Sequence, residues 1–488
     1  MKKKLEKYFM VKERNSSFAV ELFAGLTTFL AMAYILIVNP NNVLWGGISD
    51  PRFGPVFIAT ALGSFVGTML MAFLAKSPLA QSSAMGLNAI CGSIIGGAMG
   101  FAYSYGNTMA LIFVSGIIFL ILSIVPGGKD KDGNKVSLRE RIFIGMPKCV
   151  RISISIGVGL FITFIGLQNA GLIVDSQFTL VDLVSFNNPE LWVKGGIACK
   201  AVVALFGLIV IGVLSHYNVK GAVIMGIGAA TVLSLPLGAA DINILLGKVD
   251  GISWNFGDNI RNYISNPEVF LGLFRGGFNM PEGSLFSSIM IVVTLCMLDM
   301  FDTMGTVLGC CTTANLLDKN GTPINYDKIM LSDSTATVAG SMFGTSTVST
   351  FIESSTGVVA GGKTGLTAFT TAILFLLSIF LLPLFSFVPT AAASSALLYV
   401  GVLMMRSVKD IDFTTPKYAI PSFMTIVITV LGYSITKGIG LGIITFFVLD
   451  IIIYLIDKLL GKEAKLESTV VTIVIVVLYL IYFLVPLV

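Results

Sequence analysis

Four polar residues stand in stretches of this chain that are otherwise strongly apolar or small. Asp299 and Asp302 lie in LCMLDMFDTMGTVLG, Glu353 in TSTVSTFIESSTGVVAGGKTG, and Asn88 in SPLAQSSAMGLNAICGSIIGGAMG. An ionised carboxylate at bilayer depth costs at least a few kcal/mol, so a residue kept there is functional by default. A desolvated carboxyl can take up and release a proton as its surroundings open and close, which suits proton coupling. One carboxylate also accepts two coplanar N–H donors, and a carboxamide both donates and accepts. Together they suit a nucleobase. Asp299 and Asp302 are three residues apart, on adjoining faces of one helix. Asp302 is therefore assigned to the pocket, and Asp299 to support, either in proton coupling or in hydrogen bonding between helices. Asn88 also has two readings, pocket or helix bridge. Glu21, Asp333 and Asp450, nearer the ends of their apolar segments, are read as helix-to-helix hydrogen-bonding groups, and the single histidine, His216, as solvated.

What must position these groups is a polytopic α-helical membrane protein. Of 488 residues, 55% are hydrophobic and only 12% charged, and mean hydropathy is +0.90. A soluble fold could not hide so much apolar surface. Apolar segments follow at 18–40, 55–75, 80–100, 105–126, 147–173, 197–215, 220–238, 286–310, 330–345, 347–362, 364–386, 389–406, 418–436 and 438–457. That is fourteen, as seven plus seven, with a further segment at 468–488 that is either an extra span or an interfacial helix. Segment 1–17 is basic and amphipathic and lacks a cleavage site, so it is read as a retained cytoplasmic helix. Lys and Arg cluster there and in the connection after the fourth span, while the connections after spans five and seven are acidic. This places the N-terminus in the cytoplasm of a multi-pass plasma-membrane protein, with 239–285 outside. The net charge of +4 reflects that topology and no nucleic-acid partner. Six scattered cysteines have no metal-ligand spacing, and no cofactor or metal is expected.

The chain also repeats itself. ATALGSFVGT at 59–68 and ATVAGSMFGT at 336–345 share six of ten positions and fall in spans two and nine, seven crossings apart. An odd separation inverts the second copy, the architecture of alternating-access transporters. Gly63, Gly67, Gly340 and Gly344 make a small-xxx-small packing pattern. The segment after each copy is rich in hydroxyls and glycine and reads poorly as a continuous helix. Leu79 to Ser83 and Thr345 to Ile352 favour extended backbone, followed by half-helices from Ala84 and from Glu353, Ser354 and Ser355, which would cap the second. Non-helical backbone at membrane depth survives only where protein buries it or a wet cavity meets it, so the breaks in spans three and ten mark a site. Ala84 and Met85 at the first break and Thr356 at the second join Asn88, Asp302 and Glu353 as candidate substrate contacts; Asp302, Glu353 and Asp299 are the proton-coupling candidates.

The segments ELFAGLTTFLAMAYILIVNP, MGLNA, ISIGVGLFITFIGLQNAG, MFDTMGT, GTSTVSTFIESSTGVVAGGKTGLTA and ALLYVGVLMM resemble the hypoxanthine/adenine/guanine permeases, the purine branch of the nucleobase:cation symporters. The resemblance covers nearly the whole chain. It implies the fold of the uracil and xanthine permeases, with a core domain at 18–126 and 286–386 and a gate domain at 147–238 and 389–457. It implies proton-coupled uptake of purine bases, and substrate contact by the Asn of GLNA, the Asp of FDT and the Glu of ES, here Asn88, Asp302 and Glu353. Dimers through the gate domain occur in this fold, so a homodimer there is an expected arrangement. Ser83-Ala84 and Ile90-Cys91 replace the family's usual Pro-Gly and Phe-Phe around that motif, a change that bears on which purine is preferred. The competing readings are an anion transporter or channel of the same fold, which would place a basic residue at the half-helices, and a membrane enzyme, for which no nucleophile-base pairing is present.

Overall fold

The computed structural model describes all residues except 1, 45–46, 98–100, 130–134, 139–144, 177–178, 220, 247–251, 314–315, 317–322, 462, 464 and 485–488. After a short basic helix α1 (Lys2–Tyr8), the first half runs through α2 (Phe18–Met32), α3 (Ile35–Val43), α4 (Phe53–Leu70), strand β1 (Gln81–Ser83), α5 (Met85–Ile95), α6 (Tyr105–Ile124), α7 (Lys148–Asn169), α8 (Ile197–His216) and α9 (Ala222–Leu237). Two surface hairpins lie in it, β2 (Pro126–Lys129) with β3 (Lys135–Ser137), and β4 (Ile173–Ser176) with β5 (Leu180–Leu183). After α10 (Phe256–Ser265) the second half comprises α11 (Leu285–Thr313), α12 (Tyr326–Phe343), β6 (Val348–Thr350), α13 (Ser354–Val359), α14 (Gly365–Leu377), α15 (Leu382–Ser386), α16 (Thr390–Met404), α17 (Pro416–Leu431) and α18 (Ile435–Leu459), followed by α19 (Val470–Leu484).

Among the described residues nine helical segments are long and apolar enough to cross a membrane. The other five expected segments are α9, α12, α17 and the two broken spans. The breaks have the expected form. Gln81, Ser82 and Ser83 pair antiparallel with Thr350, Ser349 and Val348 in a two-stranded sheet whose residues are all buried. Its backbone groups find partners beyond the ladder, because an orphan amide there costs several kcal/mol. Ala84 N donates to Thr347 O at 2.9 Å, Phe351 N to Ala80 O at 3.0 Å, and Gln81 N to Thr68 Oγ1 at 3.0 Å.

The repeated glycines bring the two halves together at this point. A Cβ on Gly63 would lie 2.8 Å from Thr345 Cγ2 and 3.6 Å from the Gly340 Cα, so the two copies of the motif approach closely around the side chains of Thr345 and Val348. Packing sorts the helices into two sets. Helices α2, α4, α6, α11, α12 and α14 pack on one another and around the broken spans, whereas α7 packs on α16 and α17, α8 on α9 and α16, and α17 on α18. The sets meet along α5 and α7.

Several peripheral segments are more ordered than the sequence implies. The 239–285 connection carries α10 and is fastened to α12, with Tyr263 Oη donating to Phe343 O at 2.9 Å and Leu271 N to Met342 O at 3.1 Å. Arg14 clamps two distant turns, donating to Lys76 O at 3.1 Å and Lys363 O at 2.8 Å. Segment α19 lies against α18, where a Cβ on Gly440 would lie 2.8 Å from Tyr479 Cε1, and the hydroxyls of Thr469 and Thr472 both donate to Gly145 O.

Candidate functional site

Strand β6 gathers the carboxylates. Ser349 Oγ donates to Asp302 Oδ2 at 3.3 Å and Thr350 Oγ1 to Asp333 Oδ1 at 2.8 Å, while the Thr337 hydroxyl lies 3.0 Å from Val348 O and 2.8 Å from Asp299 Oδ2. Three consecutive strand residues thus connect to three aspartates on two helices. Only one of the three faces open space. Asp302 is exposed to a cavity of about 480 Å³, whereas Asp299 and Asp333 are fully buried behind it.

Glu353 lies on the same cavity wall, at the residue before α13. Its expected capping role is not realised, because its carboxylate accepts a 2.6 Å hydrogen bond from Tyr34 Oη. Ser354 takes a structural part, accepting from Ala80 N at 3.0 Å. Across from Glu353, Ala84, Met85, Gly86 and Leu87 present the start of α5 to the cavity. The site therefore pairs two carboxylates with the start of α5, while the first amides of α13 are already engaged, Ser354 N donating to Phe351 O, Ser355 N to Ile352 O and Thr356 N to Glu353 O. Val158 on α7 forms the opposite wall, and a Cβ on Gly86 would lie 2.5 Å from its Cγ1. From that level the cavity follows α7 through Ser155 and Arg151 to Lys148, with Ser407 and Asp410 facing them at its mouth. At 1.5 Å per residue the stretch from Ile162 to Lys148 covers about 21 Å of helix.

The remaining candidates sit off this wall. Asn88 is one turn into α5 and fully buried, its Oδ1 accepting a short hydrogen bond from Ser346 Oγ and its Nδ2 donating to Ser83 O at 3.5 Å. In this conformation it joins the two breaks to one another. The Thr356 hydroxyl turns back to donate to Glu353 O at 2.7 Å. Asp299 Oδ1 has no hydrogen-bond partner among the described residues.

The acids read as structural do hold helices together. Asp333 accepts from Gln81 Nε2 at 2.8 Å, Thr350 Oγ1 at 2.8 Å and Thr303 Oγ1 at 2.7 Å, binding β1, β6 and α11 to α12. Glu21 accepts from Lys363 N, Thr364 N and Thr367 Oγ1 at the start of α14. Asp450 pairs with Lys417 at 2.8 Å and accepts from Ser468 N at 2.7 Å. Tyr34, Arg151 and Lys148 line or support the site without having been singled out. Tyr34 carried no signal beyond its place in an apolar run, whereas the basic residues at the start of α7 read as ordinary positive-inside charges.

Known proteins agree with this architecture. Residues 19–441 match the family Xan_ur_permease, described as a permease family. The chain is 35% identical to the guanine/hypoxanthine permease PbuO of Bacillus subtilis, over 90% of this chain and 93% of that protein. It is 33% identical to the adenine permease AdeP of Escherichia coli, over 92% and 90% respectively. In structure it resembles the transmembrane domain of a cyanobacterial bicarbonate transporter, BicA, with a TM-score of 0.59 and 15% identity over 86% of this chain and 97% of that one. At that identity the likeness is one of fold alone.

Proposed function

From the premise that the chain belongs to the Xan_ur_permease family and is a membrane permease, not an enzyme, we propose that it takes up purine nucleobases together with protons by alternating access. The observation that carries this reading is the pairing of Asp302 and Glu353 on one cavity wall, at the crossing of two half-helices. A purine presents ring N–H donors to carboxylates, ring nitrogens to the amides at the start of α5, and a flat apolar face to Met85, Val158 and Phe351. Of the original candidates, Asp302, Glu353, Ala84 and Met85 touch the base; Thr356 and Asn88 act one step back, by fixing Glu353 and the join between the breaks. Protonation of Asp302 or Glu353 alters affinity for the base, which is what couples the two fluxes. Asp299, with one carboxylate oxygen unpartnered, is a further place for the proton.

In this reading the set of helices around the broken spans is the core, and the set built on α7, α8, α9, α16, α17 and α18 is the gate. The mouth at Lys148 and Asp410 is cytoplasmic, so the cavity is open inward, in a plasma-membrane protein whose N-terminus is inside. A homodimer would form through the gate. The anion reading is disfavoured because Asp302 and Glu353 line the cavity near the breaks, and the basic residues Arg151 and Lys148 stand toward the mouth instead. Competition decides between them: unlabelled hypoxanthine, guanine and adenine should suppress uptake of labelled adenine, while sulfate and bicarbonate should not. Suppression by the anions and not by the purines would reverse the assignment.

A further inference from the structure

A second pocket, of about 110 Å³, continues the seam between α5 and α7 beyond the closed end of the main cavity. The cavity uses Leu87 of α5 and Ile162 of α7; the pocket uses Ala89 and Ser93, and Ile165 and Asn169, of the same two helices. Ile162 and Ile165 are separated by about 4.5 Å of helix rise, so only a thin apolar septum divides the two spaces. Among the described residues the lining is mixed polar and apolar and carries no charge, with Asn41, Asn42, Thr390 and Tyr433 completing it.

Asn42 is the feature that packing does not explain. It borders the pocket with both polar atoms of its side chain buried, and neither Nδ2 nor Oδ1 has a hydrogen-bond partner among the described residues. Leaving a buried carboxamide unpaired is destabilising, so such a group needs a reason. Its neighbour Asn41 is satisfied, donating to Ile37 O at 2.8 Å and accepting from Thr390 Oγ1 at 3.4 Å. The floor is rigid, because Gly92 of α5 lies so close to Asn42 O that no side chain would fit there.

We propose that this pocket is a second binding site for the transported base on the extracellular side, filled before the base passes the septum, with the Asn42 carboxamide turning into it as its hydrogen-bonding group. The inference rests on the purine-uptake reading above. A carboxamide offers one donor and one acceptor edge, matched to the N–H and carbonyl or ring-nitrogen edge of a neutral purine. The absence of charge in the lining suits a neutral base, and the proton is handled separately at the acids beyond the septum.

The test is sided transport of labelled hypoxanthine by the full chain in right-side-out and inverted vesicles, comparing the parent with Asn42→Leu. The expected result is an external KM raised roughly tenfold, the equivalent of one lost buried hydrogen-bonding group, with the internal KM unchanged. An unchanged external KM would overturn the proposal. So would a raised external KM with a lowered internal KM, because that pattern means the substitution only shifted the balance between conformations. Ser93→Ala and Thr390→Val provide independent variants should Asn42→Leu fail to insert, each predicted to raise the external KM alone. If the parent itself moves no purine, the underlying transport reading fails; if it does and these variants match it on both sides, only the outer site fails.

Discussion

Tyr34 and Glu353 lie 319 positions apart in the chain, and the Tyr34 phenol donates to Glu353 Oε1 over 2.6 Å. Tyr34 stands between α2 and α3, Glu353 immediately before α13, so one bond connects the first span of the first half to the break in the second. Its donor fixes one carboxylate oxygen of a residue that lines the cavity. Tyr34→Phe preserves the buried ring and removes only that donor. Because a hydrogen bond to a charged group contributes about 1.5–3 kcal/mol, Tyr34→Phe should weaken base binding by roughly ten- to a hundredfold with normal membrane insertion. Equilibrium binding of labelled hypoxanthine measures this directly, and wild-type affinity would remove Tyr34 from the positioning of Glu353.

Asp302 should respond differently to shape and to charge. Asp302→Asn keeps the acceptor for Ser349 and loses the carboxylate, so binding should fall by about ten- to a hundredfold, the scale of a charge-assisted contact. Ser349→Ala, which removes only the 3.3 Å bond behind it, should lower affinity severalfold at most. Saturation binding on both variants checks the order.

Asp333 is predicted to matter for stability before transport. Removing its side chain strands Gln81, Thr350 and Thr303 in a fully buried site. Asp333→Ala should cost about 1–3 kcal/mol for each donor left without a partner and appear as loss of the folded species in detergent on thermal challenge. Asp333→Asn, which can still accept two of the bonds, should be milder. Equal stability of the two would mean that the hydrogen bonds do not hold β1 and β6 in place.

At the rim of the membrane, Asp50 gives a pH-dependent contribution of known sign. Burial pushes its carboxyl up, but side-chain and backbone hydrogen bonds from Arg52, with an ion pair at 2.7 Å, outweigh it and leave the group below its usual range. A depressed folded-state pKa stabilises the fold above the unfolded value and is lost as pH falls through the folded one. Asp50→Asn should therefore lower thermal stability at pH 7, by about 1 kcal/mol for a partly buried pair, and the difference from the parent should vanish in acid. A difference that grew on acidification would contradict the assignment.

Much of this arrangement can be read in the sequence because membrane depth makes polar residues conspicuous. Asp302 and Glu353 stand out in apolar runs, and the hydroxyl-rich stretches after each repeat announce the breaks that β1 and β6 form. What stays hidden is direction. Asn88 by type fits either the pocket or a bridge between helices, and only the fold shows that one turn of helix aims it at Ser346. Glu353 looks like a cap, but a tyrosine from another span competes for it, and nothing local to either residue records that meeting. Long-range partners of this kind, like the fastening of the 239–285 connection by Tyr263, arise only when the two halves fold together.

The central claim is that Asp302 and Glu353 couple a proton to a purine base. The direct measurement is accumulation of labelled hypoxanthine in proteoliposomes under an imposed pH gradient, acidic outside, with and without an uncoupler, for the parent, Asp302→Asn and Glu353→Gln. The account predicts uphill accumulation by the parent that collapses with the uncoupler, and no uphill accumulation by either variant. Accumulation by the parent that ignores the pH gradient, or full uphill accumulation by both variants, would contradict it.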